Sequence, residues 1–418
     1  MTDPLTPPPR KDPQARTPTP MLPPAARSRA ALGLTAAAAE GRFMLQHCDD
    51  CGTVQYPPRD ACGACLSLAL SWRDVAPEGE LLAATRIHVS PDRYFRERMP
   101  WRTGTVRLDA GPSVICHLHG DCPPRGRVRL INRLDKAGQG VIMALPAEET
   151  PNMQDDPQLR ALTADPRHRR VLITDARAPD APALCRALLQ AGAAHVYLGE
   201  AEAWRPWAGR AALASMDAVT LVPLDVTDTS SVTRLAGQIG GKVDILINNA
   251  RFLRPGGVFA RGDTVFAARE MEVNYFGLMR LAQAFGPAMR GRGADGTNSA
   301  VAWVNILSAY ALVNAPDHAS FCASQAAALS LTQALRTELR AGAVRVMGVY
   351  VGPTEDDWHQ PLPPPKVTAG ALARAVVAGL QDGLEEVWCG DVARDLAARW
   401  RRDAKVLERE IGDQGMGG

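Results

Sequence analysis

Four cysteines carry the most specific chemistry in the chain. In "CDDCGTVQYPPRDACGAC", two residues separate Cys48 from Cys51, ten separate Cys51 from Cys62, and two separate Cys62 from Cys65. A CxxC pair forms a knuckle that turns two thiolates toward one point, and two knuckles supply the tetrahedral sulfur cage that zinc takes in structural sites. Four thiolates leave no open position, so such a metal folds the segment rather than catalysing. Iron in a rubredoxin-like cage has the same ligand set, so zinc and iron both fit. A second group, Cys116, His117, His119 and Cys122 in "CHLHGDC", is explained by alternation along a strand without a second metal.

The elements that must hold these groups follow from length and texture. At 418 residues the chain is expected to hold two or three domains. Hydrophobic content of 46% and charged content of 22% fit a soluble globular protein. The net charge of +2 supplies no strong field for nucleic acid or anionic membrane. Of the basic residues only Lys11, Lys136, Lys242, Lys366 and Lys405 are not Arg, which suggests a compositional bias rather than a binding surface. No run reaches the roughly 20 apolar residues of a membrane span, and the start lacks the layout of a secretory signal. The scattered remaining cysteines do not form a disulfide framework, so a reducing cytoplasm is the expected location.

Residues 1–26 are Pro-rich and predict a disordered tail. An Ala-rich helix is expected to lead to Gly41, giving a helix-and-ribbon segment over 27–70, with short strands after it over 71–146. A polar stretch with three prolines, 147–169, reads as a linker. From 170 to 410, β-like runs ("VLIT", "HVYLG", "DILINNA", "VAWVNILS", "VRVMGVYV") alternate with helical stretches, which predicts a doubly wound parallel sheet. Residues 411–418 are expected to be a tail.

The segment "FMLQHCDDCGTVQYPPRDACGAC", followed by "LSWRDVAPEGELLAATRIHV" and "GTVRLDAGPSVICHLHG", resembles the family in which a rubredoxin-like zinc ribbon is joined to an OB-fold. That family is often encoded beside thiolases and other acyl-CoA enzymes. The resemblance covers residues 27–146 and implies a module without catalytic residues that docks on a thiolase-like partner and helps hold an acyl-CoA. OB-folds also bind single-stranded nucleic acid through aromatics on a basic groove. Here the aromatics are few (Tyr94, Phe95, Trp101), which weighs against that use.

The second half resembles the short-chain dehydrogenase/reductase family. "LDVTD", "ILINNA", "MEVNYFG", "VNILSA" and "FCASQAAALSLTQALRTEL" occur in that family's order over residues 169–410. The resemblance implies a Rossmann-type sheet and an NAD(P) cofactor. It also implies a catalytic set in which a Tyr exchanges the proton, a Lys four residues on lowers its pKa, a Ser binds the substrate oxygen and an Asn anchors a relay water. Mapped onto this chain, Asn274 and Ser308 remain. The Tyr position is Phe321 and the Lys position is Gln325. Phenylalanine has no proton to give. Glutamine carries no charge, so even a restored hydroxyl would stay near its ordinary pKa of about 10. Loss of general acid–base help alone costs on the order of 10²–10⁴ in rate.

The cofactor loop departs from the pattern as well. The family's TG-x-x-x-G-x-G lets the backbone approach a diphosphate at a helix N-terminus. This chain reads "TDARAPDAP", with Asp175, Pro179 and Ala181 at the glycine positions. Asp175 and Asp180 place carboxylates where phosphates belong, and Pro179 removes a donor. Arg251 replaces the glycine after "NNA"; it is expected to pair with Asp175, to bind another anion, or to lie free on the surface. Val351 replaces the first Pro of "VGPTEDDW". Thr174, Asp225, Asn248 and Ala250 are what such a site would still offer a dinucleotide.

Three readings follow. The chain is a non-catalytic scaffold of an acyl-CoA-processing assembly, with one half on a thiolase-like enzyme and the other paired with itself or with an active dehydrogenase. Alternatively it is a working NAD(P)-dependent reductase of a 3-ketoacyl- or 3-hydroxyacyl-CoA, or an OB-type nucleic-acid binder. In the family the helices carrying "VNYFGLMRLAQAFGPAM" and "ASQAAALSLTQALRTEL" build a dimer interface, and both still show apolar residues at helical spacing.

Overall fold

The computed structural model describes residues 1–9, 20–293, 299–360 and 364–415. Residues 10–19 of the expected tail and residues 416–418 at the other end lie outside the described residues. The chain forms two compact units. One holds Met1–Pro9, Met21–Asp165 and Gln381–Glu385; the other holds Pro166–Leu380 and the residues from Glu386 onward.

In the first unit, helix α1 (Leu32–Ala39) ends where Gly41 takes φ +73° and donates to Ala38 O, a left-handed exit that glycine enters without strain. Strands β1 (Met44–Cys48), β2 (Val54–Gln55) and β3 (Leu70–Asp74) form a small antiparallel sheet in the order β2-β1-β3. Strand β4 (Glu78–Ile87), helix α2 (Arg93–Arg96) and strands β5 (Trp101–Leu108), β6 (Ser113–Leu118), β7 (Gly126–Leu134) and β8 (Gly140–Pro146) follow. The five strands close into a barrel ordered β4-β5-β6-β8-β7. Alternation turns Leu81, Val106, Val114, Leu118, Val128 and Leu130 into its core, each at most 1% exposed.

The stretch expected as a linker is folded onto this barrel. Met153, Leu159 and Leu162 pack on Met143 and Leu145 of β8. Helix α3 (Pro157–Arg160) starts at Asp156, whose carboxylate accepts from the N–H groups of Gln158 and Leu159. The apolar residues of "MQDDPQLRAL" are too sparse to announce an element, yet they suffice to cover one end of a barrel.

The second unit alternates strand and helix. Its elements are β9 (Arg170–Ile173), α4 (Ala181–Gln190), β10 (His195–Glu200), α5 (Arg210–Ala214), β11 (Val219–Pro223), α6 (Thr229–Ile239), β12 (Ile245–Asn248) and α7 (Val265–Met271). A π-helical turn (Glu272–Gly277) then joins α8 (Leu278–Gly291). Next come β13 (Ala302–Ser308), α9 (Ala319–Arg340), β14 (Arg345–Val351), α10 (Ala369–Asp382), β15 (Glu386–Cys389), α11 (Asp391–Arg402) and α12 (Ala404–Gly415). Helix α12 therefore occupies the start of the stretch expected as a C-terminal tail.

The seven strands are parallel in the order β11-β10-β9-β12-β13-β14-β15. The order reverses direction between β9 and β12, the place where a doubly wound sheet opens a crevice beyond its strand ends. Residues of β12 and β13 are buried throughout, as strands covered by helices on both faces must be. No helix among the described residues is long and apolar enough to cross a membrane.

Candidate functional site

The first candidate is the cysteine cage. Each knuckle is closed by backbone bonds: Gly52 N–H donates to Cys48 O, and Leu66 N–H donates to Cys62 O. Gly52 and Leu66 both take positive φ, 74° and 63°, so the two knuckles share one turn geometry. A second layer fixes their spacing. Gln55 Nε2 donates to Gln46 Oε1 at 3.0 Å, Arg59 N–H donates to the same oxygen, and Gly63 N–H donates to Gln55 Oε1. This ties the "YPPR" loop and the second knuckle to β1 and β2.

The four sulfurs all lie within 4.8 Å of one another. Cys48 to Cys65 and Cys51 to Cys62 are each 3.6 Å apart. A tetrahedron with metal–sulfur bonds of about 2.3 Å has edges of about 3.8 Å, so the cage has the size of a zinc site. Cys48 and Cys62 are buried while Cys51 and Cys65 are exposed, which suits a metal that staples a ribbon. The Cys116–Cys122 group makes no second cage among the described residues. His117 Nδ1 accepts from Trp101 Nε1, and His119 bonds to Met153 O and Asp121 N–H instead. Phe95 stacks edge to face on both Tyr94 and Trp101. Tyr94 and Trp101 are 4% and 6% exposed, so neither presents a free ring to a base.

The second candidate lies at the strand ends of the α/β unit. A cleft of about 640 Å³ is lined by Thr174, Arg177, Asp225, Ala250 and Arg251 among others, and a neighbouring one of about 330 Å³ by Pro179, Asp180, Asn249, Arg254 and Asp356. Thr174 Oγ1 donates to Asn248 Oδ1 at 2.9 Å and accepts from Ala250 N–H, so the ends of β9 and β12 are locked together. Asp225 accepts from Thr227.

Asn274, Ser308, Phe321 and Gln325 form one connected group built around α9. Asn274 sits in the π-turn, where Nδ2 donates to Phe252 O and Ser324 Oγ. Ser324 Oγ donates to Phe321 O, and Gln325 Oε1 accepts from Ser308 N–H at 2.8 Å. Phe321 is 2% exposed, a hydrocarbon ring where the resemblance implies a proton donor. Ser308 Oγ caps the backbone N–H of Tyr310. The Tyr310 ring packs on the cluster of Ala309, Val313, Leu396 and Leu407.

The loop after β9 is held by its own carboxylates. Asp175 accepts from Arg177 N–H, and Asn249 spans the loop by accepting from Asp175 N–H and donating to Asp180 Oδ1. Burial raises the pKa of both Asp175 and Asp180, and for Asp175 the nearby Asp180 adds to the rise. Helix α4 begins with a proline in its first turn. The place for a diphosphate in the resembling enzymes thus holds two carboxyl groups, Asp175 and Asp180, and two prolines, Pro179 and Pro182, that have no backbone donor.

Arg251 does not pair with Asp175 and is not free on the surface. Its guanidinium meets Asp356 at 3.3 Å. Asp356 also accepts from Thr354 Oγ1 at 2.6 Å and from His359 Nδ1 at 2.8 Å. Burial pushes the Asp356 carboxyl up, but the bonds from His359 and Thr354 and the charge of Arg251 outweigh it and hold it well below the usual range. The rings of His359 and His318 stack at 6.3 Å, and burial lowers the His318 pKa. Sequence reading missed Asn249, Asp356 and His359. The second Asn of "NNA" was visible; the partners of Arg251 come from a distant loop that no local pattern links to it.

Comparisons with known proteins match three stretches of the chain. Residues 35–71 match the family model described as "ChsH2, rubredoxin-like zinc ribbon domain", residues 72–132 the "ChsH2, C-terminal OB-fold domain", and residues 169–366 the "short chain dehydrogenase" model. A short-chain dehydrogenase from Burkholderia cenocepacia J2315, solved in complex with NADP, is 33% identical; the match covers 58% of this chain and 97% of that one, with a TM-score of 0.52. A short-chain dehydrogenase from Streptomyces avermitilis, 22% identical with a TM-score of 0.50 over 60% of this chain and 98% of its own, shares the fold. The 3-ketodihydrosphingosine reductase of Dictyostelium discoideum is 27% identical over 40% of this chain and 53% of that protein. The chain spans about half the length of the curated relatives it matches.

Proposed function

The chain belongs to the short-chain dehydrogenase/reductase family through its α/β unit, fused to ChsH2-type zinc-ribbon and OB domains, and from that premise we propose that it acts as a non-catalytic scaffold in an acyl-CoA-processing assembly. The supporting observation is the pair Phe321 and Gln325. One puts a buried ring at the proton-donor position, and the other spends its side-chain oxygen on the Ser308 backbone. Neither side chain has a proton to exchange near neutral pH, and neither carries the charge that would lower the pKa of a hydroxyl.

In this reading the Cys48–Cys51–Cys62–Cys65 cage holds a structural zinc that keeps the ribbon folded. The ribbon and OB module docks on a thiolase-like enzyme and an acyl-CoA. The α/β unit pairs with itself or with an active dehydrogenase through the apolar faces of α8 and α9. Joining two modules on one chain raises their mutual effective concentration. Two measurements test the proposal. Titration of NADPH with the purified chain is expected to leave nicotinamide fluorescence unchanged, and affinity purification from the native host is expected to retrieve a thiolase-like enzyme. Saturable quenching with no such partner would count against it.

A second reading keeps a specific observation in its favour. The cleft of about 640 Å³ is open, Asn274 and Ser308 are in place, and the 33% identical Burkholderia relative is in complex with NADP. Cofactor-dependent turnover of a 3-ketoacyl-CoA by the chain alone would establish a reductase.

A further inference from the structure

The barrel closes through a short ladder. Strand β4 pairs with β7 only from Glu78 to Leu81. The register on β5 shifts between Leu81 and Ala83, and from Ala83 to Ile87 the strand keeps β5 on one side with no strand on the other among the described residues. Ala83 to Val89 are exposed without interruption, as expected of a strand that runs beyond the barrel wall. Exposed Ile87 (38%), Val89 (84%) and Ile115 (71%) line the same region. Ala83, Thr105 and Ile115 form one cross-strand row, so the apolar surface continues from the edge into the sheet.

Edges of this kind are normally blunted by charge, proline or cover. Between Ala83 and Ile87 the only charge is Arg86, and there is no proline. We propose that this free edge of β4 pairs with the same edge of a second copy of the chain, antiparallel and centred on Thr85, so that two barrels share one continuous sheet.

The register follows from the residues. Two identical antiparallel strands related by a two-fold axis keep each face continuous only when one residue sits opposite itself. Centring on Thr85 uses the whole free stretch: Ala83 faces Ile87, Ala84 faces Arg86, and Thr85 faces Thr85. Small faces large, no like charges oppose, and a Thr–Thr pair is a favourable cross-strand contact. Moving the centre to Arg86 sets two guanidinium groups against each other. Moving it to Ala84 sets Ile87 opposite Leu81, whose edge β7 already holds. A foreign strand would find little on this edge to select it, whereas the edge matches itself. The pairing is independent of the one proposed for α8 and α9.

Backbone hydrogen exchange on the full chain tests this without relying on oligomer size alone. The amides from Ala83 to Ile87 that point away from β5 are expected to exchange at least about tenfold more slowly in concentrated than in dilute protein. Thr85→Glu, which sets two carboxylates face to face, is expected to abolish that difference while leaving exchange in the barrel core unchanged, and Thr85→Ser is expected to retain it. Exchange at the edge-facing amides of 83–87 that does not depend on concentration, or protection that survives Thr85→Glu, would overturn the proposal.

Discussion

Gln325 Oε1 and the backbone N–H of Ser308 are 2.8 Å apart, and both are buried. The bond joins the second turn of α9 to the last residue of β13. It gives the amide at position 325 a structural duty in place of the electrostatic one that a lysine performs in the resembling enzymes.

Gln325→Ala therefore removes the acceptor of a buried N–H. The expected loss of stability is about 1–3 kcal/mol, the cost of leaving such a group unpaired. Gln325→Lys lacks the acceptor too and is expected to lose at least as much. Chemical denaturation of the two variants beside the parent chain checks this; full stability in Gln325→Ala would show that the bond contributes nothing.

Phe321→Tyr combined with Gln325→Lys rebuilds the proton-transfer pair but not the loop. Asp175, Pro179 and Asp180 remain where a diphosphate would lie. The expected outcome is no nicotinamide-dependent reduction of a 3-ketoacyl-CoA, followed as NADPH absorbance. Measurable turnover would mean that the loop tolerates the cofactor.

Asp175 carries a pH signature of definite sign. Burial raises its pKa in the folded chain, so the folded state holds the proton longer than the unfolded one. Stability then falls as pH rises through the unfolded carboxyl value of about 3.9 toward the folded one. Asp175→Asn keeps an acceptor for Arg177 N–H and has no charge to bury. It is expected to raise the melting temperature at neutral pH and to give no gain at the acid end. A gain that is uniform across pH would point to packing instead.

Cys62→Ser is expected to release about one equivalent of metal and unfold the ribbon, because the cage is what holds two short knuckles together. Elemental analysis identifies zinc or iron, and proteolysis reads the unfolding. A folded, metal-free ribbon would refute the structural role.

The sequence discloses the fold well where the pattern is local. The parallel strands appear as buried runs such as "DILINNA" and "VAWVNILS", and the knuckles as paired CxxC. Phe321 and Gln325 can be placed from sequence because they lie four residues apart on one helix, at a fixed count along the chain from Ser308 at the end of β13. Partners set by tertiary contact are not legible in that way. Arg251 meets Asp356 across about a hundred residues of chain. Asn249 bridges Asp175 and Asp180, two aspartates that sequence reading takes only as carboxylates set against a phosphate. Residues 147–165 lack periodicity, and only the barrel end they cover explains why they fold.

The reversal of strand order between β9 and β12 has one last consequence. Two helical layers leave from opposite sides of that seam, so a hollow forms there from the winding itself, whatever lines it. Such a recess is an architectural inheritance that mutation can strip of its reagents without filling in, and its presence alone is no sign that anything enters.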